Sequence, residues 1–363
     1  MKKNKCQAVF FGTPDFAVPS LEALSKASAK GGQAFCNIKT VVTQPDKPVG
    51  RHQSKPVPSS VKQACQRLKL PVLEGLDSLK DVEADLGIVV AYGEILPKWL
   101  LDHFPLGIVN VHPSLLPKYR GPSPIQAAIL NQDKETGVTL IKLDDKIDHG
   151  LIVAQENHPL TPSWVQEGGR FSGHTFLSLT PPPLPRRGLG GGPSAGQLHD
   201  HLSQIGADML IKYLPDYIAG KIKLKPQDDS KASYTKKLTK QDGKIDWKKS
   251  PQEIEAHVRA MNPWPGAWTM WRGKRLIIWK ASLNRHPERS EAESRDLIVY
   301  PRDFGQRLTS LWLASTPACP EYARGGRNDV LNFEEVQLEG KKKMPFAEFA
   351  KGHPEFLNTT FFF

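Results

Sequence analysis

The sequence predicts an α/β protein: a sheet with mainly parallel strands under helices, followed by a smaller β-rich domain. Three observations carry that expectation. Short, nearly continuous apolar runs at 6–11, 86–91 and 108–111 alternate with segments of helical spacing, as in strands covered by helices on both faces. From about residue 233 the pattern changes to short strands and turns rich in tryptophan. At 363 residues the chain is long enough for two separate cores.

The elements follow in order. Residues 6–11 read as a buried strand stopped by Gly12-Thr13-Pro14, and Asp15 can cap a helix with apolar positions Phe16, Val18, Leu21 and Leu24. A second strand at 38–42 runs into the polar loop 43–52, and 57–68 has helical spacing. Short Val72-Leu73, central 86–91, then 108–111 and 137–143 complete the strands expected of one sheet. Residues 204–217 read as a helix and 218–227 as a basic connector. Strands are then expected at 243–247, 264–268 and 276–279, with a helix over 251–261. The expected division is 1–217, a linker at 218–230, and 231–363. Two stretches look foreign to this plan. Residues 164–196 hold Pro181-Pro-Pro-Leu-Pro185 and Gly188-Leu-Gly-Gly-Gly192, and 284–327 opens with a charge-dense helical patch at 286–295. Both read as inserts.

Composition narrows the class. Apolar content of 39% and charged content of 24% suit a globular protein. No run approaches the roughly 18 apolar residues of a membrane span, so no membrane partner is expected. The basic Met-Lys-Lys-Asn-Lys start is followed by too short an apolar run for a secretory leader. Cys6, Cys36, Cys65 and Cys319 show no paired spacing, which predicts neither zinc nor a disulfide framework and points to a reducing cytoplasm. Net charge is +11, and residues 221–280 hold 15 Lys/Arg against 6 Asp/Glu together with Trp247, Trp264, Trp268, Trp271 and Trp279. Such a segment is either a polyanion-binding surface or a solvated basic face over an aromatic core.

The chemistry concentrates between Asn110 and Gly150. Asn110-Val-His112 runs into Pro113-Ser114-Leu115-Leu116-Pro117-Lys118-Tyr119-Arg120-Gly121, and Asp148-His149-Gly150 follows. An amide, an imidazole and a carboxylate suffice to hold a developing oxyanion, move a proton and orient the group that moves it. No nucleophilic Ser or Cys signature and no metal cluster accompanies them, which points to direct transfer of a small acyl group. Asn110 and His112 are expected at the carboxyl end of one strand and Asp148 after another, where ligands collect in parallel sheets.

These residues, with Phe11-Gly-Thr-Pro-Asp-Phe-Ala17, Thr43-Gln-Pro-Asp46, Val90-Ala-Tyr-Gly-Glu-Ile-Leu-Pro97, Glu135-Thr-Gly-Val-Thr139 and Asn262-Pro-Trp-Pro265, resemble the methionyl-tRNA formyltransferase family. The match spans about 1–160 and 197–283 and resumes at 331–352. The Asn-x-His and Asp-x-Gly elements are shared by all folate-dependent formyltransferases, whereas the other motifs are more specific. The resemblance implies a Rossmann-like formyltransferase domain followed by an OB-like barrel that binds tRNA. It implies a cytoplasmic enzyme, expected as a monomer, that moves the formyl group of 10-formyltetrahydrofolate to methionyl initiator tRNA without a metal. By resemblance, Asn110, His112 and Asp148 are catalytic. Ser114, Leu115, Leu116, Pro117, Ala91, Tyr92 and Gly93, with the backbone of 141–146, would bind folate. Lys47, Arg51, His52 and Lys55 would contact tRNA, and Phe16 the methionyl side chain.

The sequence departs from the family pattern at Pro113, which has no N–H to offer a formyl oxygen, at His149 between Asp148 and Gly150, and in both inserts. Three alternatives stay open: a formyltransferase acting on a small amine such as a nucleotide sugar, a nucleic-acid-binding protein with an impaired transferase half, and a deformylating hydrolase.

Overall fold

A computed structural model describes residues 5–29, 35–48, 56–160, 192–285 and 329–358. The fold divides into two units. One comprises Met1–Ile125, Glu135–Pro159 and Leu198–Lys237; the other comprises Gln126–Lys134, Leu160–Gln197 and Leu238–Phe363.

The first unit is built on β1 (Cys6–Gly12), β2 (Cys36–Thr43), β5 (Val72–Glu74), β6 (Leu86–Val90), β7 (Ile108–His112), β8 (Glu135–Lys142) and β9 (Leu151–Pro159). Two short segments, β3 (Lys47–Pro48) and β4 (Pro56–Val57), pair separately. The seven strands lie in the order β5-β2-β1-β6-β7-β8-β9. All five residues of β6 and all five of β7 are buried, which is why β6 is apolar throughout, whereas β7 carries Asn110 and His112 at alternate positions. From β1 the chain moves outward to β2 and β5, then returns to the other side of β1 for β6 and β7. The loops after β1 and β6 meet at this reversal, where the Thr13 hydroxyl donates to the Tyr92 carbonyl at 2.9 Å. Such a reversal opens a crevice for ligands.

The sheet is parallel from β5 to β7, but β8 and β9 are antiparallel. This corrects one expectation. Lys142 at the end of β8 lies opposite Val109 near the start of β7, so Asp148 does not follow a strand end beside His112. The loop 143–150 carries it there instead.

Helices α1 (Val18–Ala29), α2 (Ser60–Leu68), α3 (Lys98–Leu101), α4 (Pro124–Leu130) and α5 (Ala195–Ile218) connect or follow these strands. Asp15 lies in a short 3-10 turn ahead of α1 and accepts from the Phe16 N–H at 3.1 Å. Helix α5 begins nine residues before the expected start at 204. Its capping box explains this: Ser194 N–H donates to Gln197 Oε1 at 2.9 Å and Gln197 N–H donates to Ser194 Oγ at 3.3 Å. Apart from residues 192–196 and 284–285, the two expected inserts lie outside the described residues, as does the 286–295 patch.

The second unit has an antiparallel sheet, β10 (Ala267–Trp271), β11 (Lys274–Arg285), β12 (Asp329–Leu338) and β13 (Met344–Pro345), with α6 (Pro251–Ala260) and α7 (Phe346–Gly352). Helix α6 starts on the Ser250/Glu253 capping box with Pro251 in its first turn. Residues 243–247 do not form the expected strand but a single bridge, Lys244 to Trp268. The 264–268 strand begins later, at Ala267, because the chain turns through 261–265, where Asn262–Pro263 and Trp264–Pro265 are cis. Trp247, Trp268 and Trp271 are buried, and their indoles pack as core, whereas Trp264 is exposed. Cations lie over three tryptophan rings of this unit: Lys343 is 3.7 Å from Trp279, Arg275 is 4.4 Å from Trp268 and Arg272 is 5.3 Å from Trp271. Core packing and a basic face therefore coexist here.

Candidate active site

Asn110 and His112 point the same way from β7, two residues apart on one strand. Asn110 Nδ2 lies 3.5 Å from Asp148 Oδ1, and His112 Nδ1 lies 3.6 Å from Asp148 Oδ2. The three predicted residues are brought together. Both distances exceed that of a tight hydrogen bond, as expected of a site whose contacts close on a substrate atom.

The His112 tautomer follows from its other nitrogen. Nε2 is 2.9 Å from the Tyr119 carbonyl, which can only accept, so Nε2 carries hydrogen. Nδ1, facing Asp148, is then the atom that can take up or give a proton. The turn after β7 sets this geometry. Ser114 N–H donates to the His112 carbonyl at 2.9 Å across Pro113, a three-residue turn suited to proline's fixed φ.

Asp148 occupies the left-handed region at φ 47°. That conformation costs a non-glycine residue roughly 1–2 kcal/mol, so its surroundings must hold it. Oδ2 accepts from the Gly121 N–H at 2.8 Å. Gly150 is required two residues on, since a Cβ there would lie 1.9 Å from the Lys142 carbonyl oxygen. Gly121 is required too: its φ is 108° and a Cβ would lie 2.7 Å from the Thr235 carbonyl oxygen.

The residues expected to bind folate divide into two groups. Ser114 is fully buried and its hydroxyl donates to the Lys118 carbonyl at 2.6 Å. Leu116 is buried, Leu115 and Pro117 are half-buried, and the Leu116–Pro117 bond is cis. One hydroxyl stitches this loop to the sheet. Thr139 Oγ1 donates to the Ser114 carbonyl at 2.6 Å and accepts from Leu116 N–H at 3.1 Å and Gln155 Nε2 at 2.9 Å. Ser114 and Leu116 thus shape the site through their backbone, and their side chains are already engaged. At the other group, Ala91 and Gly93 are exposed at positive φ, but the Tyr92 ring sits in the core against Phe11 and Phe104's cluster. Burial pushes its phenol up to about 12. A cavity of about 430 Å³ is lined by Lys98, Leu101, Phe104, Lys142, Leu143 and Asp144 among others. It reaches Leu143, Asp144 and Asp145 and does not include Asn110, His112 or Asp148.

Phe16 is buried, its ring edge-on to His199 with centroids 5.1 Å apart. Lys47 is exposed and donates to Gln44 Oε1 at 2.7 Å, while Gln44 Nε2 donates to the Tyr92 carbonyl at 3.1 Å. Arg51, His52 and Lys55 lie outside the described residues. Among the described residues, no group of three or more His, Cys, Asp and Glu could hold a metal ion.

Sequence reasoning missed Thr139, Gln155, Gln227 and the roles of Tyr119 and Gly121. Tyr119, Gly121 and Thr139 stand inside the motifs already noted. Gln227 carried no signal, being a lone amide in a lysine-rich stretch.

A strand-end amide and imidazole thus face a loop carboxylate on a mainly parallel sheet followed by an antiparallel unit, and comparison with known proteins places the chain among the formyl transferases. Residues 6–167 match the family model "Formyl transferase", and residues 237–354 match "Formyl transferase, C-terminal domain". The chain is 39% identical to the methionyl-tRNA formyltransferase of Roseiflexus castenholzii, over 95% of each chain. It is 41% identical to that of Heliobacterium modesticaldum, over 95% of this chain and 96% of the relative. The chain belongs to the methionyl-tRNA formyltransferase family. Among solved structures, the sugar 3N-formyl transferase WlaRD superposes with a TM-score of 0.58 at 18% identity, over 93% of this chain and 100% of that one. An N-formyltransferase from Helicobacter canadensis gives 0.55 at 20%, over 78% and 89%. These two establish a shared fold.

Proposed function

We propose that this protein transfers the formyl group of 10-formyltetrahydrofolate to the α-amine of methionyl initiator tRNA, for translation initiation. The observation that carries the reading is the convergence of Asn110, His112 and the Asp148 carboxylate at 3.5–3.6 Å in a chain of this family. The neutral amine attacks the formyl carbon, and the carbonyl oxygen becomes an oxyanion. The Asn110 amide N–H and, once protonated, His112 Nδ1 are the donors that hold it. One such donor contributes on the order of 2.7–4 kcal/mol to the transition state. Asp148 orients the ring and accepts the amine proton through water. The bond from the formyl carbon to N10 of the folate then breaks, N10 takes a proton, and formyl-methionyl-tRNA and tetrahydrofolate leave.

The 91–93 turn, the 114–117 loop and the 141–146 backbone hold the folate, with contacts from backbone groups wherever the side chains are engaged. Lys47 and the neighbouring Arg51, His52 and Lys55 contact the tRNA backbone, and Phe16 contacts the methionyl group. The second unit, with its cation-covered indoles, contributes tRNA binding, so affinity falls steeply with salt. The enzyme acts as a monomer in the cytoplasm, in keeping with three buried free thiols at Cys6, Cys36 and Cys65. Two assays test the reading. Charged initiator tRNA should be formylated and a nucleotide amino sugar should not; the reverse preference overturns the substrate. Asn110→Ala should lower kcat about 10²–10³-fold, and near-normal turnover removes Asn110 from the mechanism.

A further inference from the structure

We infer that Gln227, with Arg120 and His149, is a positioning device for Asp148; the inference rests on the catalytic reading of Asp148 above. The turn 148–150 is gripped from outside the loop that bears it. Gln227 Nε2 donates to the Asp148 carbonyl at 2.9 Å and to the Gly150 carbonyl at 2.8 Å. Both amide hydrogens are therefore committed to the two residues that matter, one on each side of His149. The amide cannot be turned over. Its Oε1 accepts from Arg120 Nε at 3.1 Å and Nη2 at 2.9 Å, and a guanidinium offers donors alone.

Arg120 is itself fixed. It is 2% exposed, its Nη2 donates to Asp229 Oδ1 at 2.6 Å, and its Nη1 donates to the Tyr234 hydroxyl at 3.1 Å. The guanidinium holds the Asp229 carboxyl below the usual carboxylate range. Its backbone is paired as well, Arg120 N–H to the Ser233 carbonyl and Thr235 N–H to the Arg120 carbonyl, both at 2.8 Å. His149, the residue foreign to the family pattern, closes the circuit. Its Nδ1 lies 2.5 Å from Asp144 Oδ2 and its Nε2 lies 3.3 Å from Asp229 Oδ2. Asp144 stands at the start of the loop that ends in Asp148, so one ring ties both ends of that loop to Asp229.

Residues 225–235, which begin inside the 218–227 connector of the sequence reading, thus form a brace laid against the catalytic turn. Lys225 pairs with Ile152 just beyond that turn, at 2.8 and 3.0 Å. The purpose is geometric. Asp148 holds an unfavourable φ, and its carboxylate must face Asn110 and His112 together. A displacement near 1 Å costs about 10²-fold in rate at such sites.

The test is single-turnover formylation of charged initiator tRNA by the full chain and by Gln227→Glu, Asp148→Asn and the double variant. A carboxylate at position 227 still accepts from Arg120 but cannot donate to the two carbonyls. Gln227→Glu should lower kcat about 10–100-fold, leave KM for both substrates within about two-fold, and add less than about two-fold once Asp148 is already Asn. A wild-type rate in Gln227→Glu, or the same fractional loss in the Asp148→Asn background, overturns the brace and leaves the catalytic reading standing. Full turnover in Asp148→Asn overturns that reading and the brace with it. If Gln227→Glu does not fold, His149→Thr serves at a half-exposed position, with an expected loss of about 3–10-fold under the same criteria.

Discussion

The turn around Asp148 and the aromatic cluster of the second unit are held together by opposite means. The turn uses hydrogen bonds between polar groups taken out of water: Asn110, His112, Ser114, Arg120, Ser123 and Thr139 are all buried. The cluster uses rings. Trp271 packs edge-on against Phe349 and Phe356 at 5.5 Å, and Phe346 and Phe333 extend the set to Trp247. Hydrogen bonds have direction, so they set where a carboxylate points. Ring contacts have area and tolerate small shifts, so they set how strongly a unit holds. Damage to the first region should appear in catalysis as well as stability, and damage to the second in stability alone.

Trp271→Ala applies the largest stress to that contrast. Removing the indole should destabilise the second unit by about 3–5 kcal/mol, read by denaturant unfolding. Hydrogen exchange should show lost protection in β10–β12 with β6 and β7 unchanged. Equal loss in both units would mean that the two regions are not energetically separate.

The second stress is acid. His158 on β9 and His201 on α5 meet edge to face with ring centroids 4.5 Å apart, and burial lowers them to about 3 and about 4. Above pH 6.5 both are neutral in folded and unfolded chains, and their contribution is fully present. As pH falls below that value, the unfolded chain takes protons that the folded one refuses, so stability drops. The loss deepens steadily as pH falls from that value toward the folded ones. Urea unfolding at pH 7 and pH 5 should show a shallower decline when both are replaced by Gln. An unchanged decline would assign the acid sensitivity elsewhere.

Thr139→Val is the smallest change and the sharpest. The shape is kept, but Ser114, Leu116 and Gln155 lose their shared partner. We expect about 1–3 kcal/mol of destabilisation and a raised KM for the folate, measured by thermal unfolding and initial rates. A stability loss with unchanged KM would detach the 114–117 loop from folate binding.

Much of this was legible from residue order because burial imposes pattern. Strands β6 and β7 are buried on both faces, and their apolar runs announced them. Asn110 and His112 stood out because polar side chains are anomalous in such a run. The antiparallel direction of β8 left no mark, since an apolar strand reads the same either way. The expected helix over 204–217 covers only the later part of α5, although Ser194 and Gln197 signal its start. Gly121 and Gly150 were visible as letters, but the carbonyls that forbid a side chain there belong to Thr235 and Lys142.

By itself the chain's residue order determined which strands would be buried and which amide, imidazole and carboxylate to expect at one address, because local pattern and residue chemistry are written in it. Only the tertiary structure decided how Asp148 reaches His112 and what keeps it there. Gln227 and Arg120 are 107 residues apart in the chain and meet through one amide oxygen. No local rule carries a contact of that separation; it exists once the sheet has brought the two segments side by side.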